Sequence, residues 1–197
     1  MEKDNIQNQL IQIGRKIIKE KGATSLTARK LAEASGYSVG AIYNQFSNMD
    51  NYILVQNYLT LDELSVKLCA KAKSENPFAD INIFLQIFVN FVLENNNLWF
   101  MLYNYHLNNS RSFSFYYVRK VASLIRIVNA HIEKIVPKME APERLVSAQI
   151  LWLALFSMSA FLTNESLSGF SKVNKSSICK LLLDTYISGL TILENKE

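Results

Sequence analysis

The side chains with the clearest chemical capacity lie in the segment Thr27–Phe46, TARKLAEASGYSVGAIYNQF. Asn44 and Gln45 can each donate and accept hydrogen bonds, which is the requirement for bidentate contact with an adenine edge. Val39 and Ala41 offer methyl groups that suit contact with thymine. These residue types, in this order, predict a surface that reads base edges in DNA.

A second set of residues in and beside this segment suits contact with phosphate. Hydroxyl groups, cationic side chains and backbone N–H groups at helix starts all bind DNA phosphates. The set comprises Thr27, Arg29, Lys30, Ser38 and Tyr43. Gly40 completes the surface, because a missing side chain lets a helix approach the groove closely. Each residue alone fits an ordinary helical hairpin with a solvated polar face, whereas the ordered set favours DNA binding.

Two short helices must position these side chains. Thr27 is expected to cap the first helix and Ser38 the second. Gly36 lies between them and adopts the left-handed backbone conformation without steric cost. Ile42 and Phe46 lie one turn apart and are expected to face a small core. The pattern predicts a helix-turn-helix whose second helix lies in the major groove.

The rest of the chain predicts further helices and no strand, so the expected fold is all-α. A longer helix that precedes these two is expected from about Asp4 to Lys21. Later helices are expected at about residues 49–73, 78–94, 97–107, 112–135, 142–164 and 175–193.

Composition limits the kind of partner. With 197 residues, of which 49% are hydrophobic and 19% charged, the chain can bury a sizeable core. Its net charge of +4 permits DNA binding only through a local patch. Cys69 and Cys179 lack partners at metal-ligand spacing, so no disulfide, metal site or other cofactor is expected.

One apolar segment, Leu145–Asn164, is uncharged and about long enough to cross a bilayer. Gln149, several hydroxyl groups and the absence of Lys/Arg clusters at its ends argue against insertion. The polar N-terminus does not resemble a signal peptide. We therefore expect a buried or subunit-interface helix in a cytoplasmic protein rather than a membrane span.

The N-terminal segment resembles the signature of TetR-type transcriptional regulators. The matching positions, within about the first sixty residues, are Gly22, Thr27, Leu31, Ala32, Gly36, Tyr43, Phe46 and Asn48. The resemblance implies a three-helix DNA-binding domain at residues 1–50 and an all-helical ligand-binding and dimerisation domain at residues 51–197. It also implies a homodimer on palindromic double-stranded DNA, more often repressing than activating, whose half-sites lie about 34 Å apart.

The resemblance also assigns roles by position. It implies phosphate contacts from Thr27 and Tyr43, and base-edge contacts from Arg29, Val39, Ala41 and Asn44. Val39 and Met49 depart from the family, whose members often carry polar or basic residues there. Each lost phosphate contact lowers the log–log salt slope of binding by about one. We therefore expect a shallow salt dependence and a readout that favours A·T pairs.

An aromatic-rich second half could hold a small, largely apolar effector, because ligand sites are mostly apolar with a few convergent polar groups. Candidate lining residues are Trp99, Tyr103, Asn104, His106, Phe113, Tyr116, Gln149, Trp152 and Phe156. Filled core is the alternative for each aromatic residue. In the family, the last two helices typically pair with their copies. Candidate interface residues are Trp152, Phe156, Ser157, Ala160, Leu182, Tyr186 and Gly189.

Other function classes fit less well. An enzyme needs a positioned acid, base, nucleophile or metal. His106 and His131 are the only two histidines, and the chain has neither a carboxylate cluster nor a phosphate-binding glycine loop. No enzymatic activity is therefore expected. The alternative that stays open is a TetR-like architectural or protein-binding module without a ligand response.

Overall fold

The structure is a computed structural model that describes residues 2–70, 76–108, 115–163 and 175–195, and every regular element in these ranges is helical. The all-α expectation is confirmed. The α-helices are α1 (Glu2–Lys21), α2 (Ala28–Ser35), α3 (Val39–Phe46), α4 (Met49–Cys69), α5 (Pro77–Glu94), α6 (Asn96–Asn108), α7 (Phe115–Ile135), α8 (Ala141–Thr163) and α9 (Lys175–Glu194). A short 3₁₀ turn, Ala23–Ser25, follows α1.

Helix ends follow local chemistry. Helix α1 stops at Gly22, whose φ of 79° lies in the region that favours glycine. Helix α5 starts at Pro77, because proline suits the first turn, where its missing N–H is not needed. Helix α4 ends at Cys69, before the expected end at residue 73. The intervening residues 71–75 lie outside the described ranges.

The chain forms two compact units. The first contains the described residues up to Glu63 together with α6, and the second contains Leu64–Glu94 and the described residues of α7, α8 and α9. Helix α4 therefore contributes to both units. The functional division at residue 50 stays a prediction, because compactness does not assign function.

The core of the first unit joins the three N-terminal helices to α4 and α6. Leu10 and Ile18 of α1 pack with Leu31 of α2 and Ile42 of α3, and all four are fully buried. Helix α6 adds Leu98 and Met101 to this core. Its Asn97 Nδ2 also donates to the carbonyl of Lys19 at 2.9 Å, which satisfies an otherwise unpaired acceptor in the last turn of α1.

A polar seam connects α1 to α4 in the same unit. The Arg15 guanidinium, only 4% exposed, donates to the Gln56 carbonyl at 3.3 Å and to Thr60 Oγ1 at 3.2 Å, and it pairs with Glu63 Oε2 at 2.6 Å. Gln56 Nε2 in turn donates to the carbonyl of Ile11 at 2.8 Å. These bonds fix α4 against α1 as far as Glu63, the last α4 residue of the unit.

The seam closes tightly around Tyr52. Its hydroxyl donates to the Leu10 carbonyl at 2.6 Å, and burial raises its pKa to about 12, so the proton stays in place at neutral pH. A Cβ at Gly14 would lie 1.9 Å from the Tyr52 hydroxyl oxygen. Glycine is therefore needed at residue 14 for the two helices to approach.

Apolar packing dominates the second unit, where α5 contacts both α7 and α8. Phe88 of α5 meets Trp152 of α8 edge-on, with 6.1 Å between ring centroids. Helices α5 and α8 are long and apolar enough to cross a membrane, and their most apolar windows are 44% and 39% buried within the chain. Length and composition alone are weak evidence for a span, because core helices pass the same test.

Candidate nucleic-acid interface and regulatory cavity

The turn between α2 and α3 is built as the sequence predicts. Thr27 Oγ1 accepts from the Lys30 amide at 3.2 Å, and Ser38 Oγ accepts from the Ala41 amide at 3.1 Å. Each side chain caps its helix and satisfies one orphan N–H. Gly36 ends α2 with φ of 75° and ψ of 2°, in the left-handed region. The cap and turn predictions are confirmed.

The two sides of α3 differ sharply. Ile42 and Phe46 are buried in the first unit's core, as predicted. The opposite side holds the proposed DNA contacts: Gly40, Tyr43 and Asn44 are exposed, whereas Val39, Ala41 and Gln45 are half-buried. Tyr43 is 42% exposed despite its aromatic ring. The helix therefore presents a mixed polar and methyl surface outward.

The remaining predicted contacts border this surface. Arg29 and Lys30 are exposed in the first turn of α2. The cap bonds use the oxygen lone pairs of Thr27 and Ser38, so each hydroxyl hydrogen remains available to a phosphate oxygen. This geometry suits phosphate contact beside the α3 surface.

Gly40 lies on the exposed side of α3, in its first turn. A Cβ added there would meet Ser38 Oγ at 3.7 Å, an ordinary van der Waals distance. The chain's own packing therefore does not require glycine at this position. The absent side chain instead leaves room on the outside of the helix.

Sequence reasoning did not predict two side-chain contacts next to the recognition helix, although it named Asn48 as a signature position. The Tyr37 hydroxyl donates to Gln9 Oε1 at 2.9 Å and ties the turn to α1. Asn48 Oδ1 accepts from the Asn51 amide at 2.8 Å and caps α4. The preference for asparagine at helix N-caps could have identified Asn48, whereas no local signal identifies the Tyr37 contact.

Residues 10–52 match the family model of bacterial regulatory proteins of the tetR family. This segment is a TetR-type DNA-binding domain. The match spans the whole helix-turn-helix and much of its core helix α1. TetR-family proteins are DNA-binding transcriptional regulators rather than enzymes, so the surface of α3 belongs to a family-wide DNA-binding element.

Solved structures extend this TetR likeness over nearly the full chain. PfmR, a TetR-family transcriptional regulator from Thermus thermophilus, is 15% identical with a TM-score of 0.64, over 91% of this chain and 97% of that one. The fatty acid degradation regulator FadR from Bacillus halodurans is 14% identical with a TM-score of 0.66, over 92% and 94%. A Rhodococcus sp. RHA1 protein of unknown function is 13% identical with a TM-score of 0.74, over 93% and 94%. At these identities the likeness shows the TetR fold. No curated protein sequence matches the chain.

The second unit contains a cavity of about 730 Å³. Its apolar lining consists of Leu68, Ile83, Phe84, Ile87, Ile127 and Ala130. Its polar lining consists of Cys69, Asp80, Ser123, Arg126, His131, Glu133 and Lys134. The last residues of α4 thus share one cavity with α5 and α7, in a size range typical of small-molecule sites.

None of the predicted effector-site residues whose side chains the structure describes lines this cavity. Trp99 is buried in α6, Tyr103 and Asn104 lie half-buried on the same helix, and all three belong to the first unit. Gln149 is exposed on α8, while Trp152 is buried against Phe88 and 6.4 Å from the Phe156 ring centroid. Phe113 and the side chains of His106 and Tyr116 lie outside the described residues. Their effector role stays a prediction.

The predicted interface residues on α8 and α9 divide into two groups. Trp152 is buried, and the Tyr186 hydroxyl donates to the Ser147 carbonyl at 2.5 Å, so both residues hold the unit together. Ser157 and Gly189 are exposed, whereas Phe156, Ala160 and Leu182 are half-buried. Large apolar residues that the predicted interface did not include are more exposed on α8 and α9, namely Val146, Ile150, Leu153 and Ile192.

Proposed function

We propose that this chain is a cytoplasmic, ligand-responsive transcriptional repressor of the TetR family. It binds a palindromic operator as a homodimer and is released by a small, largely apolar effector. The observation that carries the proposal is the outward surface of α3, where exposed Tyr43 and Asn44 flank a glycine that the fold does not need. An open helix surface of this kind matches the close approach of a recognition helix to base edges.

The proposed base and phosphate contacts follow from the residue types and from their positions in the TetR-type motif. Val39, Ala41, Asn44 and Gln45 contact base edges together with Arg29, and Gly40 permits their approach. Thr27, Lys30, Ser38 and Tyr43 hold phosphates.

The homodimer is supported by the exposed apolar stripe of α8. Ile150 is 54% exposed and Leu153 is 62% exposed, on a helix that carries no charge between Arg144 and residue 163. A contiguous apolar surface on a water-facing helix marks an interaction site. Because a palindrome has two-fold symmetry, a second copy of the same chain is the partner that matches the operator.

The ligand response is supported by the path of α4. Its earlier turns are bonded to α1 through the Arg15 seam, and its last residues, Leu68 and Cys69, line the cavity. A ligand that favours one position of this helix end shifts the equilibrium between two orientations of the recognition helix. Half-sites occur about 34 Å apart, so a modest change in the separation of the two helices lowers operator affinity.

A footprint on the DNA that flanks the gene of this protein tests the proposal. We expect protection of one discrete palindrome, two chains per site, and loss of protection with an effector from a panel of apolar compounds. Asn44→Ala should weaken binding and relax base preference at the contacted position. Asn51→Ala, an exposed asparagine on α4, is the control. Equal affinity for all DNA would instead support an architectural protein.

A further inference from the structure

We infer that Tyr52 is a positioning residue that holds the recognition helix α3 in the orientation that reads DNA. The inference rests on the proposed function, because it concerns the helix that is proposed to enter the major groove. Tyr52 is fully buried, so it acts on α3 from the core of the first unit rather than through contact with DNA.

The joint between α3 and α4 has a strained backbone. Among the described residues, Ser47 is the one non-glycine residue with a positive φ, and its φ of 66° is combined with ψ of −45°. Across it, the Asn48 amide donates to the Phe46 carbonyl at 2.8 Å. This geometry is close to that of the γ-turn with positive φ, which is rare and strained. Such a conformation persists only where the surrounding structure holds it in place.

The ring of Tyr52 holds the last residue of α3. Its centroid lies 4.7 Å from the centroid of the Phe46 ring, and the two ring planes meet at 79°, edge to face. This arrangement is favourable beyond the area that it buries, because a ring edge is positive and a ring face negative. Phe46 directly precedes Ser47, so the contact fixes one side of the strained joint.

The hydroxyl end of Tyr52 is anchored to α1. It donates to the Leu10 carbonyl at 2.6 Å and accepts from Gln56 Nε2 at 3.1 Å. The ring packs directly on the α1 backbone at Gly14, where a Cβ would lie 2.8 Å from the ring atom Cζ. One rigid ring thus contacts α1 at its hydroxyl end and Phe46 along its side. The position of α1 therefore determines the position of the end of α3.

Loss of the anchor should let the joint relax. Without the hydroxyl, the strain at Ser47 favours other backbone angles, and α3 then takes more than one orientation relative to α1. Base-edge contacts require the helix to lie at hydrogen-bonding distance in the groove. Operator affinity should therefore fall in proportion to the fraction of molecules that keep the reading orientation.

Hydrogen exchange of the 197-residue protein, measured by mass spectrometry without DNA, tests the positioning directly. Tyr52→Phe removes the hydroxyl but keeps the ring, and Gln56 Nε2 retains the Ile11 carbonyl as its acceptor. We expect the amides of residues 39–51 to exchange about tenfold faster, which corresponds to the loss of one hydrogen bond. Tyr117→Phe, which changes a buried tyrosine of the second unit, should leave them unchanged.

Two outcomes of this measurement overturn the inference. The first is unchanged exchange of residues 39–51 in Tyr52→Phe. The second is an increase that α2 shares equally, because a general loss of stability speeds exchange throughout the unit, whereas the loss of a positioning contact acts mainly on α3 and the joint.

Substitution of Ser47 supplies a readout that a merely structural role of Tyr52 would not change. Glycine adopts a positive φ without strain, so Ser47→Gly should slow the exchange of residues 39–51 again in the Tyr52→Phe protein. Ser47→Ala also removes the hydroxyl but keeps a Cβ and the strain, so it should give no rescue. Absence of rescue by glycine, or equal rescue by both substitutions, overturns the link between the strained joint and Tyr52.

Binding to the palindrome found by the footprint measures the consequence for DNA. Tyr52→Phe should lower affinity about tenfold, Ser47→Gly should recover most of that loss, and Tyr117→Phe should have no effect. Equal affinities of the parent and Tyr52→Phe would overturn the reading role. A footprint without a discrete palindrome would contradict the repressor function, whereas hydrogen exchange reports on Tyr52 without DNA. The two failures are therefore distinguishable.

Discussion

The seam between α1 and α4 buries polar side chains, whereas the outer surface of α8 exposes apolar side chains. In the seam, Arg15, Gln56 and Thr60 are buried, and each has a hydrogen-bonding partner within the unit. On α8, Ile150 and Leu153 are 54% and 62% exposed. The seam therefore finds most of its partners within one chain, with only Arg15 Nε unpaired among the atoms of these three side chains, whereas the exposed apolar surface of α8 is a candidate interaction site.

The largest expected effect comes from breaking the seam. Arg15→Ala removes the donor to Thr60 Oγ1 and Gln56 Oε1 and the cationic partner of Glu63, whereas the Gln56 carbonyl keeps the Thr60 hydroxyl as a donor at 2.9 Å. We expect the free energy of unfolding to fall by about 3 kcal/mol, measured by urea denaturation.

The neighbouring cation is the matched control for this substitution. Lys16 is exposed and contacts only Glu20, at 3.9 Å, among the ion pairs of the described residues. Lys16→Ala should change stability by no more than about 0.5 kcal/mol. Equal losses for the two variants would show that the seam adds nothing beyond a surface charge.

Charging the α8 surface should separate association from folding. Leu153→Asp places a carboxylate in the proposed dimer interface, and we expect the dimer dissociation constant to rise about a hundredfold, or about 2.7 kcal/mol. Monomer stability should stay within about 0.5 kcal/mol, because Leu153 is largely exposed. Sedimentation velocity reports the oligomeric state.

Val66→Asp is the control for the interface, because Val66 is equally apolar and 68% exposed on α4. It should leave the dimer intact. A dimer that tolerates Leu153→Asp would show that the outward face of α8 is not the interface.

Two adjacent buried residues of α4 differ in whether their side chains have hydrogen-bond partners. Gln56 and Asn57 are both fully buried, but neither side-chain amide atom of Asn57 has a hydrogen-bond partner. Asn57→Leu should therefore raise stability by about 1 kcal/mol, because it removes an unpaired polar group. Gln56→Leu should lower stability, since it deprives Arg15 and the Ile11 carbonyl of partners. A loss in both variants would contradict this reasoning.

The sequence predicts best what depends on neighbouring residues. The caps Thr27 and Ser38, the turn at Gly36 and the inward pair on α3 follow from spacings of a few positions, and the structure confirms them. It does not predict that α6 packs in the first unit, because that contact joins residues far apart in the chain.

The outward side of α8 also lies beyond the reach of local patterns. A helix that is apolar all round has no stripe to indicate which side is buried. The sequence therefore suggests Trp152 and Phe156 for the interface, whereas Ile150 and Leu153 are the large apolar residues that face outward. The sequence does not predict the cavity either, because residues that are far apart in the sequence, on α4, α5 and α7, line it together.

The smallest expected effect concerns the DNA-facing surface, which is exposed like α8 but polar. Val39 begins α3 and carries no charge, so operator affinity should fall only shallowly with salt. Val39→Lys should add one phosphate contact and steepen the log–log slope by about one. Val39→Ser adds no charge and should leave the slope unchanged while weakening preference for thymine. Fluorescence anisotropy at several salt concentrations measures both. A steep slope in the parent protein, with affinity retained in Val39→Ser, would mean that phosphate contacts elsewhere dominate and that the methyl group of Val39 does not read the operator.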